Sequence, residues 1–194
     1  MADKPMMKIA ITPPVPIVDE HEYIVAILED GWDYVHLRHP SATTHDMRRL
    51  IEAIPQRLHN RLKLHGHFEL LNEFNLGGIH LNSRCPEAPR LYSGKISRTC
   101  HAIDEAERFG DMEYVTLSPI FDSISKPGYT SAFSSDQLSA MKCRNAVALG
   151  GVTPSRIDAV NRYPFIGYAV LGYLFNSGSI DELRQRLKEF KQTL

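Results

Sequence analysis

The stretch NAVALGGVTPSRIDAVNRYPFIGYAVLG, residues 145–172, holds two apolar runs separated by paired glycines and an amphipathic segment. The runs at 145–150 and 165–172 are short, rich in Val, Ile, Ala and aromatic residues, and bounded by turn formers, so they read as strands. Between them, PSRIDAVN at 154–161 has helical spacing, with Thr153 placed as an N-cap and Pro154 at the first helical position. Two strands joined by a helical crossover pair in parallel, and the crossover is right-handed. This unit decides the fold because it recurs along the chain.

Upstream, strands are expected at 7–12 (MKIAIT), 33–38 (DYVHLR), 61–65 (RLKLH), 77–81 (GGIHL), 95–99 (KISRT) and 113–118 (EYVTLS). Helical segments fall between them: EHEYIVAILEDG, TTHDMRRLIEAIPQRL, FELLNEF, EAPRLY, AIDEAERF and SDQLSAM, with SIDELRQRLKEFKQTL closing the chain. Eight strand and helix pairs predict a compact (β/α)8 TIM barrel, a single domain over 1–194. An open doubly wound sheet is the structural rival. No Gly-rich dinucleotide fingerprint follows the first strand, where ITPPVP stands instead.

Lys and Arg total 22 against 23 acidic residues, a formal net charge of -1, which argues against nucleic acid or an anionic membrane as partner. Cys85, Cys100 and Cys143 lie far apart and show neither zinc spacing nor a disulfide framework. With no signal-like or membrane-spanning apolar run, a cytoplasmic protein is expected.

In a barrel of this kind every strand-to-helix join lies on one rim, where active sites are built. The rim would carry Arg38, His65, His67, Asn82, Arg84, Cys100, His101, Ser123, Ser125, Lys126, Gly150, Gly151 and Gly172. Backbone amides at Gly150, Gly151 and Gly172 form a candidate phosphate cradle. His101 can give or take a proton near neutral pH, since an imidazole titrates at ~6.5. Arg38 and Lys126 could supply positive charge to an anionic substrate. His65 and His67 could suggest a metal with His101, but no suitably spaced carboxylate completes a motif, so no metal is expected. His36 and His80 sit mid-strand beside apolar neighbours and are expected to fill the barrel interior or bond to backbone. Cys100 beside His101 is weak evidence for a thiolate pair, because neighbours in a strand point to opposite faces.

The motifs VHLRHP, GGIHLNSRC, KISRTCHAIDEAE, EYVTLSPIFDSISKPG, AVALGGVTPSRIDAV and GYAVLGYLF resemble, in order, the strand ends of the thiamine phosphate synthase superfamily, including its TenI branch of thiazole tautomerases. The synthase pattern has Arg-x-Lys after strand two, Asn-Asp after strand three and an Asp after strand four, with carboxylates handling Mg²⁺. Here Arg38 matches, Pro40 replaces the Lys, HGH at 65–67 replaces Asn-Asp, and NSRCPE offers no Asp. The departures disfavour pyrophosphate ionisation through Mg²⁺.

The resemblance places Gly150, Gly151 and Gly172 in the family's phosphate region, and Ser123, Ser125 and Lys126 in a loop where the synthase usually carries threonines and a lysine. His101 falls where the TenI branch carries its catalytic histidine. What the resemblance implies is a thiazole phosphate tautomerase that uses His101 as acid and base, with His65 or His67 as auxiliaries and no cofactor. A divergent synthase using Mg²⁺ and Glu69, Glu73 or Glu87 is the alternative, and a non-catalytic thiazole phosphate binder is the second. A homo-oligomer is compatible with either.

Overall fold

The structure, a computed structural model, describes residues 6–122 and 131–192. Eight parallel strands close in sequence order, β1 (Met7–Ile11), β2 (Tyr34–Leu37), β3 (Leu62–Leu64), β4 (Gly78–Leu81), β5 (Ile96–Cys100), β6 (Tyr114–Leu117), β7 (Ala146–Leu149) and β8 (Gly167–Val170). Closure is made where Ile9 of β1 pairs with Ala169 of β8. The expected (β/α)8 barrel is therefore the fold, and the open sheet is excluded.

Strand period places alternate residues inside and outside the ring. Inward, Ile9, Ile11, Tyr114, Val147 and Ala169 form one apolar cluster. Outward, Val35, Leu37, Leu62, Leu64, Cys100, Val115, Leu117, Ala146 and Ala148 join the larger core beneath the helices. That layer is anchored by Trp32, which meets Tyr168 and Phe190 edge-on at 5.9 and 5.2 Å between ring centroids. Phe190 lies on α7 (Ile180–Lys191), whose Leu183, Leu187 and Phe190 are buried at helical spacing, so the last helix packs across the β8–β1 closure.

Helices start where side chains satisfy exposed amides. Thr43 and Asp46 form a capping box on α2 (Thr44–Glu52), and Ser134 and Gln137 form another on α4 (Ser135–Ala140). Other helical pieces are α1 (Glu20–Glu29), α3 (Ile103–Arg108), α5 (Ile157–Asn161) and α6 (Gly172–Phe175).

Three expectations need correction. EAPRLY forms no helix, because Pro86 and Pro89 remove donors and push their predecessors out of helical conformation. FELLNEF is a 3₁₀ turn over Phe68–Asn72, too short for an α-helix. Thr153 does not cap a full helix: it precedes a 3₁₀ turn at Pro154–Arg156, and its hydroxyl lies 3.0 Å from that of Ser155.

Candidate active site

At the C-terminal end of the strands opens a cavity of about 480 Å³. Its walls come from the ends of β2 to β5, through Arg38, His65, Asn82 and Thr99, and extend to His101 beyond β5 and Ser118 beyond β6. Ile11, Leu37, Met47, Leu149 and Leu171 give it apolar surface. Of the sequence candidates, Arg38, His65, His67, Asn82, Arg84 and His101 meet here. Gly150, Gly151 and Gly172 do not line it, and Ser123, Ser125 and Lys126 lie outside the described residues.

His101 shares the inward parity of Ser97 and Thr99, which is why it faces the cavity while Cys100 faces the helical layer. Its Nδ1 lies 3.0 Å from the Ser118 carbonyl oxygen, which can only accept. Nδ1 therefore carries the hydrogen, and Nε2 is left with a lone pair. The backbone N–H of His101 donates to Glu105 Oε2 at 2.9 Å, fixing the start of α3. Burial pushes the Cys100 thiol up to about 12, with Glu105 adding to the shift, so a thiolate nucleophile is excluded.

Arg38 and Arg84 bring two guanidiniums to the cavity with no carboxylate partner among the described residues. Burial, then repulsion from Arg84, lowers the Arg38 pKa. No Asp or Glu lines the cavity among the described residues. Glu73 is held by Arg48, with contacts of 2.6 and 2.7 Å, and Glu69 accepts from Thr44 at 2.6 Å. That donor set does not suit Mg²⁺, a hard ion that takes oxygen ligands.

His67 has a left-handed backbone, φ 53°. Because the Thr44 hydroxyl spends its one hydrogen on Glu69, it accepts from His67 Nδ1 at 3.1 Å. Asn82 is a turn builder that the sequence placed only at the rim. Its Nδ2 donates to the carbonyls of His65 and His80, at 2.8 and 3.2 Å, and its Oδ1 accepts from the backbone of Arg84 and Cys85. This turn presents Arg84 to the cavity.

Below the cavity the barrel interior is polar. His36 Nδ1 lies 2.8 Å from His65 Nε2, and His36 Nε2 lies 2.6 Å from the Tyr114 hydroxyl. His80 Nδ1 and Nε2 each lie 2.8 Å from a hydroxyl, those of Ser97 and Thr99. Ser97 donates to the Ile79 carbonyl and Thr116 donates to Thr99, so the hydrogens run Thr116 to Thr99 to His80 to Ser97 to Ile79. Burial holds His36 and His80 well below the usual imidazole range and pulls His65 down to about 3. The expectation that His36 and His80 fill the interior is met, although their partners are side chains. Deeper still, buried Lys63 pairs with Glu113, which also accepts from Tyr34 at 2.8 Å.

His39 was not singled out in the sequence, yet it lines the cavity with its Nε2 2.7 Å from buried Glu20.

At the cradle, Gly150 and Gly151 have φ of 96° and 65°, and a Cβ at Gly151 would overlap the Asp122 carbonyl oxygen. Arg156 donates to the carbonyls of Gly151 and Asp122, at 2.7 and 3.1 Å, tying the turn to the loop after β6.

The family model described as thiamine monophosphate synthase matches residues 9–174. A thiamine phosphate pyrophosphorylase from Bacteroides thetaiotaomicron is 32% identical, covers 97% of each chain and superposes with a TM-score of 0.86. A thiamine phosphate pyrophosphorylase from Pyrococcus furiosus, 16% identical, covers 97% of this chain and 95% of its own, with a TM-score of 0.77. The tryptophan synthase α-subunit of Pyrococcus furiosus, 14% identical over 96% of this chain and 98% of its own, shares the fold with a TM-score of 0.68. No curated protein matches the chain by sequence. With its model match spanning most of the barrel and a full-length relative near one-third identity, the chain belongs to the thiamine monophosphate synthase and TenI family.

Proposed function

We propose that the protein is a TenI-like thiazole phosphate tautomerase, acting without a cofactor on a dihydrothiazole carboxylate phosphate. The observation that carries this reading is the cavity-facing His101, whose Nδ1–H to the Ser118 carbonyl leaves Nε2 as a base. Nε2 takes the proton from the saturated ring carbon, the double bonds shift into the ring, and the imidazolium returns the proton to the carbon at the exocyclic end of the former double bond, giving the aromatic isomer with atoms and charge balanced. Arg38 and Arg84, lacking carboxylate partners among the described residues, offer an anionic substrate the countercharge they otherwise miss. Ser123, Ser125, Lys126, Gly150, Gly151 and Gly172 remain the proposed hold on the phosphate tail, and His65 and His67 the auxiliaries.

A synthase is the second reading, favoured by the name of the Bacteroides relative. Against it stands a cavity wall without carboxylates for Mg²⁺ among the described residues.

The experiment follows aromatisation of the dihydrothiazole substrate in metal-free buffer. His101→Ala should slow turnover by ~10²- to 10⁴-fold, while calorimetric ligand affinity stays within a few-fold. Thiamine phosphate formed at an enzyme-like rate from pyrimidine pyrophosphate, thiazole phosphate and Mg²⁺ would establish the synthase. Ligand binding with neither reaction would leave a thiazole phosphate binder.

A further inference from the structure

We propose that His36, His65 and His80 form a binding site for a divalent first-row transition ion of the zinc class, at the floor of the cavity. The three imidazoles come from β2, from the end of β3 and from β4, and a potential ligand atom from each lies within 4.8 Å of the others. The ring centroids are 4.4 to 5.0 Å apart. Zinc–nitrogen bonds of ~2.0–2.1 Å set tetrahedral ligand atoms roughly 3.4 Å apart, so shifts on the order of 1 Å suffice to close the triad.

For His36 and His80 the far nitrogens already have the partners that a ligating histidine needs. His80 uses Nδ1–H on Ser97, which is anchored to the Ile79 carbonyl, so Nε2 is the atom left to bind the ion, displacing the Thr99 hydroxyl. His36 can turn Nε2–H toward the Tyr114 oxygen and ligate through Nδ1. His65 then ligates through Nε2, the atom that faces His36 Nδ1. Such outer hydrogen bonds fix tautomer and ring direction in metal sites. Each imidazole keeps one hydrogen throughout, so binding needs only a tautomer change and no net proton release.

Neutral imidazoles with no carboxylate suit zinc, nickel, cobalt or copper and leave Mg²⁺ and Ca²⁺ unsupported. Lys63, which repels charge on His36 and His80, is paired with Glu113, which limits its repulsion of the ion, while Arg38 opposes charge on the His65 side. His65 and Thr99 both border the cavity, so the fourth coordination position opens toward it. The site does not depend on which reaction the cavity performs.

The test uses Co²⁺ alone as a spectroscopic probe on the full chain after EDTA treatment and dialysis. One equivalent should produce the visible d–d bands of a tetrahedral ion, and Zn²⁺ should bleach them while Mg²⁺ does not. His65→Asn, a change at the cavity surface, should weaken Co²⁺ binding at least tenfold with an unchanged circular dichroism spectrum. His36→Gln should do the same. His45→Gln, on exposed α2, should change nothing. Absence of tetrahedral bands in the wild type overturns the proposal. So do bands that survive both His65→Asn and His36→Gln, because the ion is then held elsewhere.

Discussion

Arg38 shows how one residue can be tuned by what it lacks. Half-buried and repelled by Arg84, its guanidinium is held in the folded protein at some electrostatic cost. Arg38→Met should therefore leave the melting temperature unchanged or raised, yet weaken binding of a phosphate-bearing ligand by about tenfold or more, a charge-assisted contact being worth ~1.5–3 kcal/mol. Calorimetric titration beside a thermal scan reads both effects. A fall in stability with unaltered affinity would mean that the guanidinium serves packing. The sequence identified Arg38 by its place at a strand end, but Arg84 entered only as a rim residue. Its orientation depends on the Asn82 turn, a set of four hydrogen bonds that no periodicity announces.

At the scale of elements, the β7 to α5 connection is a tight joint. Gly151 combines a left-handed backbone with direct packing against the loop after β6. Gly151→Ala should cost ~1–3 kcal/mol, visible as a lower urea midpoint at constant slope, because a Cβ there meets backbone that cannot move aside cheaply. Gly31→Ala makes a contrast, since its Cβ would enter open space and only the φ of 96° opposes it. The strands were legible because each is a short apolar run bounded by turn formers. The crossovers were less so. EAPRLY has helical composition at its ends, but Pro86 and Pro89 outweigh it, and the residues between β4 and β5 run as irregular chain with one turn at 90–91.

For the whole molecule, the barrel interior governs the response to acid. His36, His65 and His80 are held below the ordinary imidazole range by burial, and about 3 is the value for His65. In the unfolded chain the same rings accept protons near pH ~6.5. Unfolded chains thus bind protons that the native state refuses, so stability is full above pH ~6.5 and falls as pH drops toward 3. His36 and His80, whose pKa values are lowered in the same direction, add to the loss with the same sign. Urea titrations with a chelator present, at pH 7 and pH 5, should show the loss before the carboxylates titrate, and a flat profile would contradict a neutral triad with His36 and His80 buried. Closure also explains what sequence reading missed. Positions 36, 80 and 114 sit on three different strands and 65 just past the end of a fourth, and they converge only when the sheet becomes a ring.

The hydroxyl series from Thr116 to the Ile79 carbonyl has a further consequence. Each member has one hydrogen to give, and the terminal carbonyl can only receive, so the whole series has a single sense. Thr99→Val would strip His80 of its donor and Thr116 of its acceptor at once, and Ser97→Ala would leave the opposite side of the same ring stranded. These residues make up one heritable unit: the barrel axis can be rewritten in blocks, with an apolar set replacing the polar set together, but not letter by letter.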